Sequence, residues 1–123
     1  MPKRLFPVLA TLLLAACSGN ATGSTEDGLR VEAAGETAIA VTNLRHEPVY
    51  YRIINSEVLA SWAPCTSPAD CPEIGPGETV RIEYAEIDLY LPDSMEARLL
   101  WWQFARVDGG YRTVRQGDVA VRL

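Results

Sequence analysis

Residues 97–107 constrain the fold more than any other part of this 123-residue chain. In an extended strand, successive side chains point to opposite faces. Leu99 and Trp101 then share one face, while Leu100, Trp102 and Phe104 share the other. A segment that is apolar on both faces belongs at the centre of a sheet, with material packed on each side. The cleanest alternation is at residues 79–84, where Val80, Ile82 and Tyr84 face one way and Arg81 and Glu83 the other. Further short β-rich runs fall at residues 29–33, 37–43, 49–54, 58–62, 111–114 and 118–123. Turn signals separate them, notably Ala34-Gly35, Gly75-Pro76-Gly77-Glu78 and Asp108-Gly109-Gly110. Residues 58–62 are expected to pair with residues 49–54 across Asn55-Ser56-Glu57. Residues 87–92 read either as a loop or as one helical turn, and no segment carries the apolar period of a long amphipathic helix.

Seven or eight strands over residues 29–123 predict an all-β fold, a small antiparallel β-sandwich. Its size and rhythm resemble those of immunoglobulin-like sandwiches. The resemblance is one of architecture, because the long-range cysteine pair and intervening tryptophan of true immunoglobulin domains are missing.

The front of the chain is built differently. Lys3 and Arg4 precede an uncharged run of 12 residues, 5–16, that ends in small side chains before Cys17. This is the layout of a secretory signal peptide. As a helix the run would be about 18 Å long, too short for a hydrocarbon core of roughly 30 Å. Leu14-Ala15-Ala16-Cys17 resembles the lipobox of bacterial lipoproteins. The resemblance implies cleavage before Cys17, a diacylglyceryl group on its sulfur, and further acylation of the new amine. Two or more acyl chains give stable membrane attachment, whereas one gives only marginal binding. Ser18, in place of the aspartate that favours inner-membrane retention in enterobacteria-like lipoproteins, favours the outer membrane. The expected organisation is a signal peptide at 1–16, a lipidated cysteine and small, polar tether at 17–28, and a sandwich domain at 29–123.

Without residues 1–16, nine arginines face sixteen acidic residues, a net charge of −7. That balance disfavours nucleic acid. It also leaves attachment to anionic lipids to the acyl chains, since there is no basic patch at the anchor. Export further implies oxidising surroundings. Cys65 and Cys71, the two cysteines the lipobox leaves over, lie six residues apart among prolines and are expected to form a structural disulfide. Loop entropy assigns such a bridge about 2.4 kcal/mol. A redox pair would usually be closer in sequence, and a zinc site needs four ligands where the chain offers two thiols and His46.

No catalytic constellation is legible, no cofactor is implied, and the chain reads as a non-enzyme. His46, the only histidine, lies in a turn, and no serine sits in a nucleophile elbow. Glu83, Glu86, Asp88, Asp93 and Glu96 form an acidic stretch. It reads first as a solvated face, with calcium binding or carboxylate hydrolysis as sharper alternatives. The aromatics are the better lead. Adjacent Trp101 and Trp102 must face opposite ways, so one fills the core while the other needs a covering loop, a second layer or a partner. Trp62, Trp102 and Phe104 are therefore the candidate binding surface. The resulting expectation is a lipid-anchored, non-enzymatic binding or accessory module of the cell envelope that meets a protein or a glycan. An acidic envelope hydrolase and a proteinase inhibitor presenting the Cys65–Cys71 loop are the alternatives.

Overall fold

The computed structural model describes residues 23–61 and 63–123; Cys17, the leader and Trp62 lie outside the described residues. Among the described residues, eight strands run in the order β1 (Ser24–Glu26), β2 (Leu29–Ala33), β3 (Ala38–Asn43), β4 (Val49–Asn55), β5 (Glu73–Ile74), β6 (Thr79–Glu83), β7 (Glu96–Val107) and β8 (Gly110–Arg122). They form two four-stranded sheets, β1-β2-β3-β6 and β5-β4-β7-β8, in which every strand pairing is antiparallel. The fold is a small all-β sandwich, as the alternation requires. With the short edge strand β1 set aside, three strands face four in the strand order of an immunoglobulin-like sandwich, β5 flanking the second sheet as an extra edge strand.

The layers meet through the apolar positions of the alternating strands. Leu29, Val31, Ile39, Val41 and Ile82 point inward from the first sheet; Val49, Ile53, Leu99, Trp101, Val119 and Val121 point inward from the second. All are buried. Each such side chain contributes roughly 1.5–3 kcal/mol by leaving water.

The structure departs from the sequence reading at four places. The segment expected to be a tether at 17–28 carries β1. Asp27 (φ 56°) and Gly28 (φ 75°) both adopt the left-handed backbone that a tight hairpin turn requires, and they fold β1 back onto β2. Residues 58–62 were expected to be a strand, but residues Ser56–Ser61 form 3-10 turns with a kink at Val58. Two causes combine there. The Asn55 side chain accepts a hydrogen bond from the Glu57 amide at 3.1 Å, which diverts the chain, and β7 already occupies the edge of β4 from Tyr50 to Asn55. The two expected strands at 111–114 and 118–123 are one continuous strand, β8. The two-residue β5 is an addition that pairs with Val49 and Tyr50. Residues Tyr84–Glu86, just ahead of the undecided segment 87–92, form a 3-10 turn closed by a reciprocal capping box between Glu83 and Glu86.

Two buried asparagines fix the loops at opposite ends of the sandwich. Asn43 donates to the Glu47 and Ile74 carbonyls at 2.9 and 3.0 Å and accepts from the Arg45 amide at 2.8 Å. Asn55 donates to the Leu89 carbonyl and the Ser94 hydroxyl. The second clamp holds Leu89 at a positive φ of 60°. Leu89, Leu91 and Met95 are the most exposed large apolar side chains of the described residues.

Candidate functional site

Trp102 is 4% exposed and Phe104 is half-buried, which removes Trp102 from the expected binding surface. The cause is a covering loop. Ile54, Leu100 and Trp102 form the outer face of the second sheet and bury Cys65 and Cys71 against it, with Tyr50, Val58 and Phe104 around them. Pro64 reaches as far as Gln116, Gly117 and Asp118 of β8 before the chain returns to β5 beside β4. Cys65 and Cys71 are joined in a disulfide with Cα atoms 6.1 Å apart. The stapled loop therefore works as a lid over an apolar sheet face, and its cysteines are buried in that contact. Thr66 donates through both its hydroxyl and its amide to the Asp70 carboxylate, and these bonds hold that carboxyl below its ordinary range.

The other sequence candidates are spread apart. His46 is exposed in the loop between β3 and β4. Glu86 and Asp88 line a shallow depression with Tyr51, Arg52, Ile53, Pro72 and Ile82. Both are exposed, and Glu86 accepts the Glu83 amide at 3.0 Å as part of its own turn. Burial, with a smaller push from Glu86, raises the Tyr51 hydroxyl above its usual range. Among the described residues no three His, Cys, Asp or Glu side chains gather as a metal site would need.

The feature that residue-by-residue scanning missed is the far end of the β7–β8 hairpin. β4 pairs with β7 only as far as Tyr50 opposite Trp102. Beyond that point β7 and β8 continue alone to the turn at Asp108-Gly109, a two-stranded arm about 15 Å long at 3.4 Å per residue. Along residues 104–116 there are three arginines, Arg106, Arg112 and Arg115, and one acidic residue, Asp108. The rest of 23–123 carries six arginines against fifteen acidic residues. Arg81 pairs with Glu83 and Arg98 with Asp118; among the described residues the other arginines, inside and outside the arm, show no ion pair, and what sets the arm apart is that its three cations cluster beside a single carboxylate. Val107, Tyr111 and Val114 are exposed there. Phe104 joins Tyr50 to Tyr111 in an aromatic row, with ring centres 5.5 and 6.4 Å apart, and Arg106 lies 6.0 Å from the Tyr111 ring. Burial, Glu73 and Tyr111 together raise the Tyr50 hydroxyl above its usual range.

The root of the arm is rigid. Arg45 lies 4.7 Å over the Trp101 ring, donates to the Asp27 carbonyl at 2.9 Å and to Gln103 Oε1 at 3.3 Å. Trp101 donates its indole N–H to Asp27 at 3.1 Å. Gly117 is required beside this group, because a Cβ there would lie 2.5 Å from Asp27 Oδ2 and 2.7 Å from Trp101 Nε1. Between this root and the β3–β4 loop is a cleft lined by Gly28, Leu44, Arg45, His46, Glu47, Gln103 and Arg115.

Compared with known proteins, the chain matches no family model, no curated protein and no solved structure. The signal for the arm was present in the sequence all the same, as three arginines around Asp108-Gly109-Gly110 in an otherwise acidic chain.

Proposed function

We propose that this chain is a lipid-anchored, non-enzymatic binding module of the bacterial envelope that displays the β7–β8 arm to a partner. The observation that carries this reading is the arm itself: an exposed ribbon of tyrosine, valine and arginine projecting from an acidic body. Tyrosine and arginine are enriched where binding energy concentrates, and clustered cations on an otherwise acidic molecule give an encounter its direction. The anchor fits this arrangement. Gly23 and Ser24 lie beside Ala120, Val121 and Arg122, at the opposite end of β8 from the arm tip, about 37 Å away along the strand at 3.4 Å per residue. A lipid on Cys17, six residues before Gly23, would leave the arm pointing away from the bilayer. It would turn the end that exposes Leu89, Leu91 and Met95 towards the lipid.

Two measurements on cells test the reading. Radioactive palmitate is expected to label the shortened wild-type chain and to leave a Cys17→Ser variant unlabelled and full length. A photo-crosslinking amino acid at Tyr111 is expected to trap a discrete envelope partner, while the same group at Glu32 traps none. An unlabelled wild-type chain removes the anchor. Equal crosslinking from both positions removes the arm as the contact element.

A further inference from the structure

The arm carries a register feature that points to the chemistry of its partner. In a regular strand, residues three apart face opposite ways, so Arg112 and Arg115 should lie on different sides of β8. They do not. Gln103 is opposite Arg115 and Phe104 is opposite Thr113, which leaves Val114 as an extra residue, a β-bulge. Arg115 is therefore on the face of Gln103, and Arg112, opposite Ala105, is on that same face. The two guanidinium stems leave the ribbon two β7 positions apart, about 7 Å at 3.4 Å per residue. This is the spacing of alternate side chains on any extended strand. Arg115 also lines the cleft at the arm root, where Arg45 on the facing wall adds a third cation and Glu47 a single carboxylate.

The edge beside these arginines is open. β8 is the outer strand of its sheet, so the outward backbone N–H and C=O groups of its arm segment meet no neighbouring strand. Such an edge accepts an added strand, whose backbone supplies affinity and whose alternate side chains supply specificity. A second arm would bring arginines against arginines, which disfavours self-pairing by like-charge repulsion.

We propose that the β8 edge of the arm takes up an extended acidic polypeptide segment, with carboxylates at alternate positions reading Arg112 and Arg115. The inference rests on the arm being the contact element. Charge complementarity selects the acid, the free edge selects a polypeptide over a glycan, and the bulge sets the spacing. Guanidinium–carboxylate contacts of this kind are strong and directional.

The test uses the purified mature lipidated chain in neutral detergent and reads the fluorescence anisotropy of a short labelled peptide alternating Glu and Thr. Binding is expected for that peptide and to be at least tenfold weaker for three competitors: its Gln/Thr counterpart, a peptide of the same composition with its Glu residues clustered, and oligogalacturonate. Arg112→Gln and Arg115→Gln are each expected to weaken binding about tenfold, with Arg30→Gln, on β2, unchanged. Deleting Val114, which removes the bulge but leaves Arg112 and Arg115 two residues apart on one face of a regular strand, is expected to keep the preference for alternating over clustered Glu, whereas deleting Thr113 and Val114 together makes the two arginines neighbours on opposite faces and is expected to abolish it. Circular dichroism of each variant checks that the sandwich is intact. Equal binding of the alternating and clustered peptides, equal binding of oligogalacturonate, or equal losses from Arg30→Gln and Arg115→Gln would each overturn the proposal. Any of these results leaves the Tyr111 crosslinking result standing, so the two readings fail separately.

Discussion

Trp101 and Trp102 are neighbours in the chain, yet they belong to two cores of different construction. Trp101 lies between the sheets, among side chains delivered by six strands besides its own. Its surroundings follow from alternation alone, since each strand turns its apolar side inward. Trp102 lies on the outside of the second sheet and is covered by a loop that the Cys65–Cys71 bridge holds in place. The first core is a consequence of how sheets pack; the second depends on a covalent staple and a short stretch of 3-10 turns. One strand, apolar on both faces, thus needed two separate solutions for keeping water out.

The contrast is sharpest in the paired truncations Leu99→Ala and Leu100→Ala. Leu99 is wholly buried between the sheets, and Leu100 is 7% exposed under the loop. A cavity between two sheets has little room to collapse, whereas a loop can settle. We expect Leu99→Ala to cost about 4 kcal/mol and Leu100→Ala about 2 kcal/mol, read from urea unfolding. Equal costs would mean that the loop-covered side is as rigid as the interior.

Next in size is the staple. The double variant Cys65→Ser/Cys71→Ser is expected to lose about 2.4 kcal/mol by loop entropy. Hydrogen exchange should rise first in residues 63–72, while the amides of β2 and β3 keep their protection. Uniform loosening of both sheets would show that the two cores are one cooperative unit.

The smallest effect concerns acid. Asp70, fully exposed, is held below the ordinary carboxylate range first by the Thr66 hydroxyl and then by the Thr66 amide. A carboxyl whose folded value is depressed stabilises the fold above its unfolded value and loses that contribution as pH falls through the folded one. Residues 66–70 should therefore loosen below the usual carboxylate range, with both cores unchanged, as followed by the chemical shifts of the Thr66 and Asp70 amides. A Thr66 amide that does not respond to pH would remove the linkage.

Much of this molecule could be read from residue order. Thr79, Val80, Arg81, Ile82 and Glu83 were legible as a strand because half of that segment had to be buried. The Cys65–Cys71 pair was legible because an even pair of cysteines, close in sequence and flanked by prolines, suits a short bridged loop. Residues 56–61 were misread because a β-rich composition does not reveal that β7 has already taken the neighbouring edge or that Asn55 turns the chain. Between a covering loop and a binding surface Trp102 was left open, because its cover comes from a segment about forty residues earlier in the chain. The arm itself was legible only as composition, a cluster of arginines around a turn; its projection follows from where β4 stops pairing with β7.

Residue order alone thus revealed most of the strands, the two apolar faces of β7, and the pair of cysteines that bridge. Which residues of the arm share a face follows only from the folded pairing of β7 with β8. Alternation assigns faces by counting in twos, and that count holds until a residue is inserted. Val114 is such an insertion, visible only once β7 is laid beside β8. It reverses the parity between Arg112 and Arg115 and brings to one face two charges that the linear order had placed on opposite sides.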